Sequence, residues 1–84
     1  MSKVQRIKED NPIENVVPGL TRKRTARTEM AGACPWCGGD DRFIVWPENQ
    51  RFWCRGCGRK GDVIDLLAFY NRVSVGEYIH NYQV

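Results

Sequence analysis

Two tight cysteine pairs, Cys34-Pro35-Trp36-Cys37 and Cys54-Arg55-Gly56-Cys57, hold all four cysteines of this 84-residue chain. Sixteen residues separate the pairs and carry a strand–turn–strand pattern. Each CxxC turn offers two thiolates about one sulfur–sulfur edge apart, and two such turns face to face complete a tetrahedron. A closed four-thiolate shell leaves no position for water, so the expected ion, one zinc, holds structure and does no chemistry. Two other readings compete with it. Fe(II) suits the same S₄ geometry, and two disulfides would suit a secreted module. The start, Met1-Ser2-Lys3-Val4-Gln5-Arg6, is polar with no apolar leader, which favours a reduced, cytoplasmic setting and with it the metal.

Size makes the metal more than an ornament. A chain this short forms one domain whose hydrophobic core alone is marginal, and such domains take a staple. The expected fold class is α+β: a small zinc ribbon, an antiparallel sheet of about three strands or more, flanked by N-terminal and C-terminal helices. Residues 3–9 read as a polar helix with Val4, Ile7 and Lys8 on one side. Asn11-Pro12-Ile13-Glu14 reads as a second helix start, Asn11 capping and Glu14 completing a capping box. Residues 20–28 form a basic connector with no regular structure expected. Met30 to Ala33 lead into the first knuckle, Arg42 to Trp46 form a strand, Pro47-Glu48-Asn49-Gln50 a turn, and Arg51 to Cys54 the returning strand. Gly38 and Gly58 follow the pairs, where positive φ lets amide N–H groups aim at the sulfurs. Asp62 caps a helix over 63–72, and Ser74-Val75-Gly76-Glu77 opens a last short one. Within the single domain 1–84 this gives an N-terminal helical segment (1–19), the connector (20–28), the zinc ribbon (29–60) and C-terminal helices (61–84).

Period-two alternation divides the hairpin into two faces. Phe43, Val45, Phe52 and Cys54 share an inner face under the helix at 63–72. Ile44, Trp46, Arg51 and Trp53 turn outward, with Arg42 and Arg55 at the strand ends. The net charge of +3 is uneven: Arg22, Lys23, Arg24 and Arg27 lie together, and Arg42, Arg51, Arg55, Arg59 and Lys60 surround the cysteines. Aromatic faces stack on unpaired bases while cations hold phosphates, so the outer face suits a single-stranded polyanion. The alternative is that Trp46 and Trp53 pack beneath the connector or the N-terminal helices. No Ser/His/Asp set, phosphate loop or inward carboxylate cluster is present; turn chemistry accounts for Asp40-Asp41, and His80 reads as a surface residue. No run approaches about 18 apolar residues, so no membrane span is expected.

Together these segments resemble a known family. Cys34-Pro-Trp-Cys37, Arg42-Phe-Ile-Val, Pro47-Glu-Asn-Gln, Cys54-Arg-Gly-Cys57-Gly and Gly61-Asp-Val-Ile-Asp-Leu-Leu are similar to the zinc-binding domain of bacterial and phage replicative DNA primases. The likeness runs upstream through Ile7-Lys8-Glu9 and Ile13 to Val17, and downstream through Ser74 to Ile79. The common bacterial form carries histidine as second ligand where this chain has Cys37; four-cysteine versions resemble those of phage primases, which implies a phage or mobile-element origin. The resemblance implies Cys34, Cys37, Cys54 and Cys57 as zinc ligands and Arg42, Trp46, Arg51, Trp53, Arg55 and Lys60 as contacts to a single-stranded DNA template. It implies as partners a primase polymerase domain, which carries the catalysis of primer synthesis, and the replicative helicase. The chain's own residues look non-catalytic. A second role is compatible with them: a protein-interaction module docking on a replication or transcription complex. The helix at 63–72 is apolar nearly all round, and its surplus needs a second neighbour, for which the N-terminal helices are the expected one.

Overall fold

Both CxxC segments serve as the tight turns of antiparallel hairpins, and this orders the sheet. The computed structural model describes residues 2–22 and 28–83. In chain order the elements are α1 (Lys3–Asp10), α2 (Ile13–Val16), β1 (Thr21–Arg22), β2 (Met30–Cys34), β3 (Gly38–Trp46), β4 (Arg51–Cys54), β5 (Lys60–Asp62), α3 (Val63–Tyr70) and α4 (Val75–Asn81). The five strands lie side by side in chain order, each antiparallel to the next. The first knuckle joins β2 to β3 and the second joins β4 to β5, so both fall at one end of the sheet. The β3–β4 turn closes the other end. The fold is α+β, with five strands where the sequence pattern resolves three.

The faces follow the alternation. Phe43 pairs with Cys54 and Val45 with Phe52, and all four are fully or almost fully buried. Val63, Leu66 and Leu67 of α3 pack on them, joined by Ile7 of α1 and Ile13 of α2. The apolar surplus of α3 is thus met largely from within the chain. The helix starts cleanly because Asp62 Oδ1 accepts from the amides of Ile64 (3.0 Å) and Asp65 (3.3 Å), while Asp65 Oδ2 accepts from the Asp62 amide at 2.9 Å, a reciprocal cap. Ser74 caps α4 by accepting from the Glu77 amide. The C-terminus returns to α1, where the Tyr82 hydroxyl donates to Asp10 Oδ2 (2.8 Å) and Lys3 Nζ donates to the exposed His80's carbonyl (2.8 Å).

Three expectations are corrected. Asn11 does not cap α2: its side chain donates back to the Ile7 carbonyl at 2.9 Å and closes α1. The free amide at the start of α2 is met from another element, by Gln50 Oε1, which accepts from Ile13 N at 2.8 Å. Second, the connector is not wholly irregular: Thr21 and Arg22 pair with Ala31 and Met30 as an edge strand, while 23–27 lie outside the described residues. Two residues form too short a run for alternation to register. Third, Ile44 points to the outer face yet is 3% exposed. Alternation sets a direction, but Ala31 and Trp53 flank Ile44 in register and the neighbouring side chains close over it.

Gln50 holds the end of the sheet opposite the cysteines. Its backbone sits at φ 56°, uncommon for a side-chain-bearing residue, at the end of the β3–β4 turn. Nε2 donates to the carbonyls of Lys8 (2.9 Å) and Asn11 (3.0 Å), and its carbonyl accepts from Val63 N at 3.0 Å. One residue therefore ties α1, α2, the turn and the start of α3. Replacement Gln50→Ala removes three side-chain hydrogen bonds at roughly 1 kcal/mol each, so a destabilisation of about 2–3 kcal/mol is expected in denaturant titration of the zinc-loaded domain. A change below about 0.5 kcal/mol would mean that water replaces these bonds without loss.

Candidate metal centre and the adjoining sheet face

The two knuckles bring all four sulfurs within 4.8 Å of one another. Cys34 Sγ lies 3.8 Å from Cys57 Sγ, and Cys37 Sγ lies 3.4 Å from Cys54 Sγ. A Zn–S bond of about 2.3 Å implies tetrahedral edges of about 3.8 Å, so the set matches one zinc and is far too open for disulfides. Each pair contributes one buried sulfur residue, Cys34 or Cys54, and one at the rim, Cys37 or Cys57. The knuckle backbone supports the anionic sulfurs: Trp36 N and Cys37 N donate to Cys34 Sγ at 3.4 and 3.5 Å, and Cys57 N donates to Cys54 Sγ at 3.4 Å. Gly38 (φ 77°) and Gly58 (φ 79°) make the left-handed exit from each turn that other residues resist.

The sulfurs compete for charge. Although Cys37 is a rim residue, its sulfur faces the other three, and desolvation followed by hydrogen bonding to Cys54, Cys34 and Cys57 pushes its thiol up to about 12. Burial opposes ionisation of Cys54 too, but the amides of Cys57 and Gly56 and the Cys37 side chain outweigh it and bring that thiol down to about 6. A dication resolves the conflict by making all four thiolates favourable at once. The four cysteines are positioned to bind one zinc ion.

Arg42 departs from the outward position that alternation assigns it. Its Nη1 stands 4.0 Å from Cys37 Sγ, and its side chain crosses both knuckles where Gly39 and Gly56 leave room. A methyl group at either glycine would run into it. Four thiolates around Zn²⁺ carry two net negative charges, and the guanidinium lies against them.

The remaining template-contact candidates fall into two groups. Trp53, Lys60, Arg51 and Trp46 share the outer face: Trp53 stands opposite Lys60, and Trp46 opposite Arg51. Trp53 is 39% exposed. Trp46 is half-buried, its indole Nε1 donating to Glu29 Oε2 at 3.0 Å. Arg55 lies apart beside the knuckle, its Nη2 donating to the Asp41 carbonyl (3.2 Å) and 3.9 Å from the Asp41 carboxylate. Sequence reasoning assigned no role to Trp36, which stacks on Phe52 at 5.5 Å and meets Phe69 at 4.6 Å under the Arg59 guanidinium. A residue inside a turn has no periodicity to reveal its facing; its one signal was a large ring between two ligands.

Fold and site together define a four-thiolate zinc ribbon with flanking helices. The chain belongs to the CHC2 zinc-finger family, which it matches over residues 1–83. It is similar to a solved structure of the Aquifex aeolicus primase comprising zinc-binding and RNA polymerase domains, at 27% identity and a TM-score of 0.72. The likeness covers 92% of this chain and 19% of that one, so the chain spans about a fifth of that protein's length. No match is found among curated protein sequences. No helix among the described residues is long and apolar enough to cross a membrane.

Metal removal should unfold the domain, because metal-binding energy is folding energy in a chain of this size; a strong chelator should abolish the helical circular dichroism, and an apo form that keeps a sharp thermal transition would contradict this. Proton competition acts in the same direction. Zinc binding requires all four thiols deprotonated, so protons compete with the metal and acid, and not base, releases zinc. Arg42→Gln should leave the fold intact but speed zinc transfer to a chromogenic chelator several-fold. Gly56→Ala, at a position without positive φ, should do the same by displacing Arg42. Equal transfer rates in both variants and the parent would show the guanidinium to be a bystander.

Proposed function

We propose that this domain binds single-stranded DNA template on the outer sheet face for primer synthesis in replication, the catalysis lying in a separate polymerase domain. The observation that carries the reading is Trp53, an exposed indole placed between two cations: Lys60 directly across the strand pair and Arg51 two residues before it on the same face. An indole supplies a stacking surface for a base, and cations on either side suit the flanking phosphates. The CHC2 family and the primase zinc-binding domain similar to this chain support the same role. Trp46 serves as a partly buried wall of the site, Arg55 as a flanking cation, and Arg42 acts on the strand mainly through the metal centre. The natural partners in this reading are the template, a primase polymerase domain and the replicative helicase, in a bacterial cytoplasm. Cys37, standing where the family's common form has histidine, supports a phage or mobile-element lineage.

Binding of a short oligonucleotide, followed by tryptophan fluorescence, tests it. Two phosphate contacts to a single strand predict a slope of about −1.4 in log K against log salt. Arg51→Gln should reduce that slope by about 0.7, and Trp53→Ala should weaken binding by about 1–3 kcal/mol at constant slope. Salt-independent binding, or binding untouched by Trp53→Ala, would remove the sheet face from consideration.

A further inference from the structure

A second surface lies between the second knuckle and the α3–α4 corner. It is a groove of about 380 Å³ lined by Trp36, Phe69, Val73 and Val75, with Arg59 and Lys60 beside them. That volume falls at the lower end of the roughly 300–1,000 Å³ usual for binding clefts. Two of its apolar residues are not spent on the core: Phe69 is 39% and Val75 38% exposed, on an otherwise well-buried helix and at the first residue of α4. Among the described residues, neither the Arg59 guanidinium nor the Lys60 ammonium has an ion pair or side-chain hydrogen bond. Asp65 also lines the groove, its Oδ2 accepting from the Asp62 amide, which leaves the Arg59 guanidinium as the cation open to an incoming carboxylate.

The arrangement discriminates between anionic ligands. A base needs an open aromatic face, and the Trp36 ring has Phe52 stacked on it and Arg59 over it at 5.1 Å. What stays open is aliphatic surface at Val73 and Val75 and part of the Phe69 ring, which suits an apolar side chain. The Arg59 guanidinium, held against the indole, keeps its N–H edges free for a carboxylate, the planar fork-to-fork pairing arginine makes well.

We propose that this groove docks an acidic peptide segment of a partner protein, one large apolar side chain resting on Phe69, Val73 and Val75 while a flanking carboxylate pairs with Arg59. The groove excludes Trp53 and Arg51 but shares Lys60 with the strand-binding face, so the two sites adjoin.

The test uses the zinc-loaded full chain, ¹⁵N-labelled, with the capped peptide Asp-Glu-Asp-Leu-Phe, its uncharged counterpart Asn-Gln-Asn-Leu-Phe, and a six-residue oligothymidine. The acidic peptide should shift the Trp36 indole N–H and the Val73 and Val75 amides saturably. The uncharged peptide should bind at least about tenfold more weakly, the loss expected for one charge-assisted pair. Arg59→Gln should bring the acidic peptide down to that level. Val75→Asp should abolish binding without lowering the melting temperature, since a carboxylate in the first helical turn is favourable. Failure of the acidic peptide to shift these signals, equal binding of the two peptides, or displacement of the peptide from Trp36 by oligothymidine would each overturn the proposal, the last assigning the groove to nucleic acid.

Discussion

Four sulfur–metal bonds close two neighbouring hairpin turns onto each other, and the order of the rest follows from that closure. A hydrophobic core in a chain this small supplies only about 3–5 kcal/mol, whereas a structural zinc site contributes an apparent 10–16 kcal/mol or so at neutral pH. The magnitudes decide which is the foundation. Cys34 and Cys54 are at once ligands and core residues, so the metal is built into the packing from one side. Cys37 and Cys57 lie at the exposed rim; the amide donors serve the sulfurs of Cys34 and Cys54, and Arg42 stands beside that of Cys37.

The sheet is pinned at both ends by different chemistry. Metal–thiolate bonds hold the knuckle end, and the Gln50 side chain and carbonyl hold the turn end to the helices. With both ends held, register is fixed, and fixed register is what puts Trp53 opposite Lys60 and Trp46 opposite Arg51. A slip of one residue would send every one of these side chains to the other face. The presentation of the outer face thus depends on zinc without any of its residues touching the metal. On the other side, Trp36 links the first knuckle to Phe52 and Phe69, so loss of metal should disturb the groove as well.

The site was legible in unequal parts. The ligand set could be read because cysteine spacing encodes a local turn geometry that no distant residue alters. The inner face could be read because Phe43, Val45 and Phe52 alternate in a strong strand. Arg42 was misplaced because alternation gives the direction of Cα–Cβ, while a long side chain goes where charge draws it and where Gly39 and Gly56 admit it. Asn11 was misread because the local pattern for a helix start was satisfied on paper, while Gln50, about forty residues on, supplied the acceptor in fact.

By itself the sequence determined the metal, its four ligands, the α+β class, the two-faced hairpin and the caps at Asp62 and Ser74, all of them features set by contacts within a few residues or by simple periodicity. Only the tertiary structure decided which exposed cations remain available. It spent Arg42 on the sulfurs, paired Arg55 with Asp41, anchored Trp46 to Glu29, and left Trp53, Arg51 and Lys60 on one face and Arg59 over Trp36 on another. The reason is physical: a charged or aromatic side chain takes its role from what lies within a few ångströms of its tip, and those neighbours come from other strands and turns.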